Sequence, residues 1–202
     1  MHIAVSGNIG AGKTTLTQML SRHYGWHPEF EDVENNPYLA DFYSDMHKWS
    51  FHLQVYFLNS RFEQVNKVRN GNRTVIQDRT IYEDAYIFAK SLYHQGYFKE
   101  RDYQSYKTLF DSMIKFVEPP DLLIYLKSEI GNLVQNIEIR GRDYENAIRI
   151  DYLKDLNQHY KDWIAGYKEG KLLVIDVNDM DFVHNPEDFA KIVSRIDVEL
   201  HG

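Results

Sequence analysis

Residues 2–20 read HIAVSGNIGAGKTTLTQML, and this stretch decides the fold. A short apolar run, Ile3-Ala4-Val5, leads into GNIGAGKT at residues 7–14, which fits the pattern G-x-x-x-x-G-K-[ST]. A helical pattern leaves the motif at Thr14. A glycine-rich turn that carried a lysine by chance would not need both flanking elements. The stretch therefore predicts a phosphate-binding loop (P-loop) between a strand and a helix.

The P-loop predicts a cradle for a nucleotide. Its glycines let backbone N–H groups surround phosphate oxygens at the positive end of the following helix. Lys13 is expected to reach the β and γ phosphates, and the Thr14 hydroxyl is expected to bind Mg²⁺. The predicted ATP-binding residues are Gly7, Asn8, Ile9, Gly10, Ala11, Gly12, Lys13, Thr14 and Thr15.

Short apolar runs alternate with longer stretches of helical period along the rest of the chain. The predicted strands are His2–Ser6, Thr74–Asp78, Leu122–Leu126 and Leu172–Val177, with a weaker one around His27–Glu31. The predicted helices are Thr14–Tyr24, Lys48–Arg69, Ile81–Tyr93, Tyr103–Val117, Ile130–Ile139, Asp151–Tyr167 and Pro186–Leu200. This alternation indicates one α/β domain over residues 1–202, a three-layer fold with a five-stranded parallel sheet flanked by helices. Ligands are expected beyond the carboxyl ends of the strands.

Composition narrows the class of protein. The chain has 202 residues, 23 Lys and Arg, 30 Asp and Glu, and no cysteine, which gives a formal net charge of −7. An acidic chain without a basic tract argues against a nucleic-acid polymer or an anionic membrane as partner. The absence of cysteine excludes a disulfide, a thiolate zinc site and a cysteine nucleophile. With no signal-peptide pattern and no long apolar run, a cytoplasmic location is expected.

Two carboxylates are predicted at strand ends. Asp78 ends one apolar run, is followed by Arg79, and is placed to hold Mg²⁺ opposite Thr14. Its alternative role is to cap the helix that follows. Glu31 ends the weaker strand, where a carboxylate can take a proton from an acceptor hydroxyl. The alternative for its acidic surroundings is a solvated loop. Together with the P-loop, these residues favour a small phosphotransferase.

The chain resembles deoxyribonucleoside kinases, the group that includes deoxycytidine, deoxyguanosine and bacterial deoxyadenosine kinases. The resemblance covers nearly the whole length, and its most specific parts are the W-S-F-x-x-Q-x-Y…R stretch and the R-G-R-x-x-E lid. The segments that carry it are GNIGAGKTT (7–15), FEDVENNPYL (30–39), WSFHLQVYFLNSR (49–61), DRTIYED (78–84), IRGRDYE (139–145) and DVNDMDF (176–182).

The resemblance implies that Glu31 is the general base for the sugar 5′-hydroxyl. It implies that Asp78 serves the metal or its water and that Arg79 serves the reacting oxygens. The family usually has proline after the glutamate, whereas this chain has Asp32. The last of the segments resembles a loop that frames the donor adenine.

A base pocket is also implied. Gln54 and Arg61 are seven residues apart and share a helix face, and Asp84 and Phe88 are four apart on the next helix. By resemblance, Gln54 binds a base edge, Arg61 and Asp84 pair at its far side, and Phe88 packs on the ring. Phe57, one turn from Gln54, is expected to restrict the pocket. Read without the family, Gln54 would be an exposed helix residue and Phe88 a core residue.

The sugar site and a lid complete the implied active site. Tyr43 and Glu145 correspond to the pair that holds the sugar 3′-hydroxyl. Arg140 and Arg142 lie in a lid at about 139–147 and are expected to close over the phosphates. Many relatives have a further arginine one turn earlier, where this chain has Asn136.

Three hypotheses follow. The first is ATP- and Mg²⁺-dependent phosphorylation of a deoxyribonucleoside, with a purine favoured as the base, by a homodimer that associates through a helical face. The second is a nucleoside monophosphate kinase of the thymidylate type. The third is a P-loop protein that senses nucleotides without catalysis.

Overall fold

The structure, a computed structural model, describes residues 1–31, 35–69, 71–142, 145 and 148–202. Within these residues, five strands form one parallel sheet in the order β2-β3-β1-β4-β5. They are β1 (His2–Gly7), β2 (His27–Glu29), β3 (Val75–Asp78), β4 (Leu122–Lys127) and β5 (Lys171–Asp176). The predicted α/β fold with a five-stranded parallel sheet is confirmed.

Helices follow the strands as the periodicity predicts. They are α1 (Lys13–Tyr24), α2 (Leu39–Ser44), α3 (Met46–Arg69), α4 (Ile81–Glu83), α5 (Lys90–His94), α6 (Glu100–Met113), α7 (Ile130–Arg140), α8 (Ile150–Ala165) and α9 (Pro186–His201). A π-helical segment over Asp84–Ala89 joins α4 to α5, and a 3₁₀ turn over Ile114–Phe116 extends α6. Among the described helices, none is long and apolar enough to cross a bilayer.

Two elements were not predicted from the sequence. Helix α2 has six residues, which is too short for a helical period to show. The π-helical segment has apolar spacing close to that of an ordinary helix, so periodicity alone predicts one continuous helix. Such segments often occur at functional sites, and this one contains both Asp84 and Phe88.

The sheet carries a separate apolar core on each face. Along β4, Leu122, Ile124 and Leu126 pack with residues of α1, α7 and α9. The alternate residue Tyr125 packs with residues of α3, α8 and the π-helical segment. Strands buried on both faces are typical of parallel sheets covered by helices, and they make the sheet a rigid platform.

The carboxyl edge of the sheet differs from the prediction at one strand. Strand β2 ends at Glu29, so the prediction that it extends to Glu31 is wrong. Just past the end of the strand, the carbonyl of Phe30 accepts from Gln64 of α3 at 2.8 Å. Glu31 therefore lies just beyond the sheet edge. Asp32 falls outside the described residues.

Candidate active site

A cavity opens at the carboxyl edge of the sheet and contains most of the predicted site. Its walls come from the P-loop, α2, α3, the ends of β2 and β3, the π-helical segment, α7 and α8. The lining residues are Ile9, Lys13, Thr14, Glu31, Leu39, Phe42, Tyr43, Leu53, Gln54, Phe57, Asp78, Arg79, Asp84, Phe88, Arg140, Arg142, Glu145 and Tyr152. Leu39, Phe42, Leu53 and Tyr152 were not singled out from the sequence.

The P-loop forms one end of this cavity. Gly10 and Gly12 have φ values of +83° and +88°, a left-handed backbone that glycine adopts without steric cost. Lys13 begins α1 and is buried, and its Nζ donates to the carbonyl of Asn8 at 3.0 Å. Burial, together with the nearby Arg79, lowers the Lys13 pKa to about 8. A lysine of this kind gains a strong electrostatic partner when phosphate enters.

A second cavity lies on the other side of the P-loop. Its walls are the P-loop, α7 and the loop between β5 and α9, and Arg140 contributes to both cavities. The lining residues are Gly10, Ala11, Gly12, Thr15, Ser128, Asn132, Gln135, Asn136, Ile139, Arg140, Val177, Asn178, Met180, Asp181, Phe182, Val183 and His184. A Cβ added to Gly12 would lie 2.9 Å from the Phe182 ring, so this ring packs directly on the loop.

Asp78 and Thr14 meet at the base of the first cavity. The Thr14 hydroxyl donates to Asp78 Oδ2 at 2.5 Å. Asp78 Oδ1 is buried and has no hydrogen-bond partner among the described residues. A free carboxylate oxygen beside a hydroxyl fits a hydrated divalent cation, since Mg²⁺ takes one or two protein ligands and completes its shell with water and phosphate. The residues predicted to hold a metal therefore fit one.

Glu31 lies among positive charges. Arg61 Nη2 donates to Glu31 Oε1 at 2.5 Å, and Arg79 Nη1 lies 3.8 Å from the same oxygen. Burial would raise the pKa of this carboxyl. The charges of Arg79, Arg61, Lys13 and Arg142 together outweigh burial and lower the pKa below its ordinary value. Glu31 is therefore an ionised carboxylate at neutral pH, and a proton acceptor is available in the cavity.

Arg79 has an unusual backbone and a buried side chain. Its φ is +72°, and its guanidinium lies 4.3 Å from the centre of the Phe88 ring and 4.0 Å from Glu83 Oε1. Although burial lowers its pKa, the carboxylates of Glu31 and Glu83 raise the pKa well above the ordinary value. The strained backbone holds a permanent cation against the predicted base, and such strain is typical of functional sites.

The opposite end of the cavity presents polar groups between apolar walls. Gln54 and Asp84 are both about 2% exposed, although Gln54 reads as an exposed residue from the sequence alone. Gln54 Oε1 and Asp84 Oδ2 are buried without hydrogen-bond partners in the described part of the chain. Phe57 and Phe88 line the cavity beside them. Buried polar groups left free in this way are expected to bind a ligand.

Asp84 is a buried carboxyl close to other charges. Burial raises its pKa to about 7, and the nearby Arg61 only partly opposes that effect. Arg61 Nε lies 3.7 Å from Asp84 Oδ2, so the predicted pair is present. The shorter contacts of Arg61 are with Glu31 and with the carbonyl of Asp78, at 2.9 Å. Arg61 does not line the cavity; it connects the base end of the site to the predicted catalytic end.

The lid residues converge on Glu145. Arg140 donates through Nε and Nη2 to the two carboxylate oxygens at 2.9 and 2.6 Å, and Arg142 Nη1 lies 3.5 Å from Oε1. Tyr43 lines the same cavity. The predicted sugar-binding and phosphate-binding residues are thus adjacent. Within the predicted lid, Asp143, Tyr144, Asn146 and Ala147 lie outside the described residues.

Sequence reasoning missed the positioning role of Glu83, and it assigned Asn8 to ATP without indicating that its side chain contacts α8. Glu83 is fully buried, accepts hydrogen bonds from the Thr80 backbone at 2.7 Å and from the Tyr160 hydroxyl at 2.8 Å, and faces Arg79. The T-x-x-E spacing of a capping box was available as a signal. The Asn8 side chain donates to the carbonyl of Leu153 at 3.0 Å, so it fastens the P-loop to α8. No local pattern indicates that contact.

Comparison with known proteins identifies the family of the chain. The family described as deoxynucleoside kinase matches residues 3–201. The chain belongs to the deoxynucleoside kinase family. The kinase is 37% identical to deoxyadenosine/deoxycytidine kinase of Bacillus subtilis (strain 168), covering 98% of this chain and 93% of the relative. It is 41% identical to deoxyadenosine kinase of Dictyostelium discoideum over 95% of this chain and 77% of the relative.

A solved structure shares the fold of the kinase. Deoxyadenosine kinase from M. mycoides, with the products dCMP and a flexible dCDP bound, superposes with a TM-score of 0.88. The identity is 29%, and the match covers 98% of this chain and 100% of the other. The kinase is therefore a phosphotransferase that binds deoxynucleosides and nucleotides and uses a nucleotide as phosphate donor. Among the three hypotheses, this supports the phosphorylation of a deoxynucleoside over the monophosphate kinase and the non-catalytic sensor.

Proposed function

We propose that the kinase transfers the γ-phosphoryl group of ATP, with Mg²⁺, to the 5′-hydroxyl of a purine deoxyribonucleoside, giving the 5′-monophosphate for nucleotide salvage. The observation that carries the proposal is one cavity with Lys13 and Thr14 at one end, the ionised Glu31 in the middle and Gln54 with Asp84 at the other end. The homodimer and the cytoplasmic location stay predictions.

The charges suggest how the chain's residues divide the reaction. Glu31 accepts the proton of the 5′-hydroxyl as that oxygen attacks the γ-phosphorus, and the bond to the β-phosphate oxygen breaks to release ADP. Lys13 and Arg79 stabilise charge on the transferring group, and Arg140 and Arg142 act from the lid. Mg²⁺, held through Thr14 and Asp78, would neutralise charge on the phosphates.

A purine, deoxyadenosine before deoxyguanosine, is supported by the names of the relatives, and the base end fits the amino group of adenine. Gln54 Oε1 is a buried acceptor without a hydrogen-bond partner among the described residues, and Asp84 Oδ2 lies 3.7 Å from Arg61 Nε. An exocyclic amino group, as in adenine or cytosine, supplies donors to such acceptors. The two relatives described above are named for deoxyadenosine, one of them also for deoxycytidine. Phe57 and Phe88 provide apolar contact for the ring.

The direct test is a coupled ADP-release assay with ATP, Mg²⁺ and each of the four deoxynucleosides in turn. We expect turnover with deoxyadenosine and deoxyguanosine at a higher kcat/KM than with deoxycytidine or thymidine. No turnover with any deoxynucleoside would refute the proposed reaction. A higher kcat/KM with a pyrimidine would refute the purine preference alone.

Binding of the base is expected to depend on pH through Asp84. Its pKa of about 7 reflects burial, with Arg61 and Arg79 opposing and Glu31 and Glu83 reinforcing the shift. Below that pH the carboxyl is protonated, and above it the carboxylate accepts more strongly from an amino group. The KM for deoxyadenosine should therefore fall as pH rises from 6 to 8. Asp84→Asn, which cannot titrate, should remove this dependence, and a KM profile unchanged by the substitution would contradict the assignment.

Metal dependence is expected to rest on Asp78. Asp78→Asn keeps the hydrogen-bond partner of Thr14 but removes a negative charge, so the Mg²⁺ concentration for half-maximal turnover should rise by about 10- to 100-fold. The control is Asp121→Asn at the amino edge of the sheet, where Asp121 accepts from the His2 backbone. A Mg²⁺ titration at fixed ATP measures the effect, and equal midpoints for the two variants would exclude Asp78 as a metal residue.

A further inference from the structure

Helix α7 lies directly against the P-loop at Gly10. A Cβ added to Gly10 would lie 2.5 Å from the carbonyl oxygen of Leu133 and 3.0 Å from Cγ1 of Ile137. Both of those α7 residues are buried. The helix therefore contacts the loop backbone with no side chain between them. A displacement of either element would displace the other.

One polar contact joins the same two elements. Asn136 Nδ2 donates to the carbonyl oxygen of Gly10 at 2.8 Å. The start of α7 is fastened separately, because Asn132 Nδ2 donates to the carbonyl of Asn178 at 3.0 Å and the Glu129 N–H donates to Asn178 Oδ1 at 2.7 Å. Asn136 thus fixes the second half of α7 to the loop, beyond the anchor at its beginning.

Arg140 follows Asn136 by four residues, so the two side chains share a face of α7. Arg140 lines both cavities, while Asn136 lines the second one. Arg140 is therefore one helical turn from the contact that joins α7 to Gly10. Asn136 binds the carbonyl of Gly10, whose backbone has a left-handed conformation. The orientation of that peptide group decides where the N–H groups that follow it point.

We propose that Asn136 is a positioning residue for phosphoryl transfer. Its side chain holds the P-loop backbone against α7. In that orientation the loop N–H groups and Arg140 surround the donor phosphates. The inference rests on the proposed use of ATP at the P-loop. Asn136 acts through the Gly10 carbonyl, and its own side chain is not assigned to the nucleotide.

The test compares Asn136→Ala with Glu138→Ala, which truncates an exposed side chain on the same helix but outside both cavities. Asn136→Ala should raise the KM for ATP about 3- to 10-fold, the effect of one lost hydrogen bond. The KM for the deoxynucleoside should stay within about twofold, because Asn136 does not line the first cavity. The Tm should stay close to that of the wild type, because the Asn136 side chain is exposed. Glu138→Ala should change none of these quantities.

Hydrogen exchange supplies a readout that does not depend on turnover. The Ala11 N–H donates to the carbonyl of Asn8 at 3.1 Å within the loop, and this amide should exchange faster in Asn136→Ala than in the wild type. Asn136→Asp keeps the shape of the side chain but lacks the donor, so it should show the same faster exchange.

Each alternative outcome can be told apart. Unchanged loop exchange in Asn136→Ala and Asn136→Asp would overturn the inference, and so would an equal effect of Glu138→Ala. A changed preference between ATP and GTP without faster exchange would place Asn136 on the donor base instead, which also overturns it. If the wild type does not turn over with ATP, the proposed function fails, and the exchange result alone decides the role of Asn136.

Discussion

Glu31→Gln should reduce kcat by about 10²- to 10⁴-fold while ATP binding persists. The amide has nearly the shape of the carboxylate and can still accept a hydrogen bond from Arg61, but it cannot take the proton of the 5′-hydroxyl. The pKa of Glu31 is lowered by Arg79, Arg61 and Lys13 against the effect of burial. The wild-type base is therefore ionised over the whole neutral range, and the loss should be nearly independent of pH there.

Glu29→Gln is the matched control for this prediction. Glu29 ends β2 two residues before Glu31, and its Oε1 lies 3.6 Å from the His27 ring, outside the cavity. Its substitution should leave kcat within about twofold. Steady-state kinetics measure kcat, and calorimetry with ATP measures donor binding. A Glu31→Gln variant that keeps more than a tenth of the wild-type kcat would remove Glu31 as the general base.

The parts of the fold that were predictable depend on local signals. The P-loop combines a fixed spacing with a strand before it and a helix after it, and β1 and α1 occur where this context requires. Apolar runs predict the remaining strands because both faces of the sheet are buried. The end of β2 was not predictable from local signals, because the residue that follows it, Phe30, hydrogen-bonds to Gln64, more than thirty residues away.

The site shows the same division between local and distant signals. Spacing alone placed Gln54 and Arg61 on one helix face, and the structure buries both. The contact of Arg61 with Glu31 joins α3 to the segment after β2, and no periodicity reports which elements meet. Asp84 and Phe88 lie in a π-helical segment, although the apolar spacing of the sequence predicts an ordinary helix there. Tertiary packing, which local patterns do not encode, decides these features.

Arg79→Met should lower kcat by about 10²- to 10³-fold, because it removes a buried cation aimed at the transferring group. The kcat of Arg79→Lys should lie between that of Arg79→Met and that of the wild type, since lysine keeps the charge but lacks the planar set of N–H donors. The backbone at this position has a φ of +72°. Arg, Lys and Met all carry a Cβ and bear a similar steric cost there, so the three proteins differ mainly in charge and hydrogen bonding.

The pH profile distinguishes a catalytic role from a structural one. Arg79 is the strongest of the charges that lower the pKa of Glu31, so Arg79→Met should raise that pKa. The base works only when it is ionised. As pH falls, Arg79→Met should therefore lose activity at a higher pH than the wild type does, and Arg79→Lys should be intermediate. The exposed Arg73→Met serves as control and should keep the wild-type profile. A variant that only folds less well would lose kcat at every pH, without a shift in the pH at which activity falls on the acid side. If that pH is unchanged in Arg79→Met, the guanidinium does not act on the base.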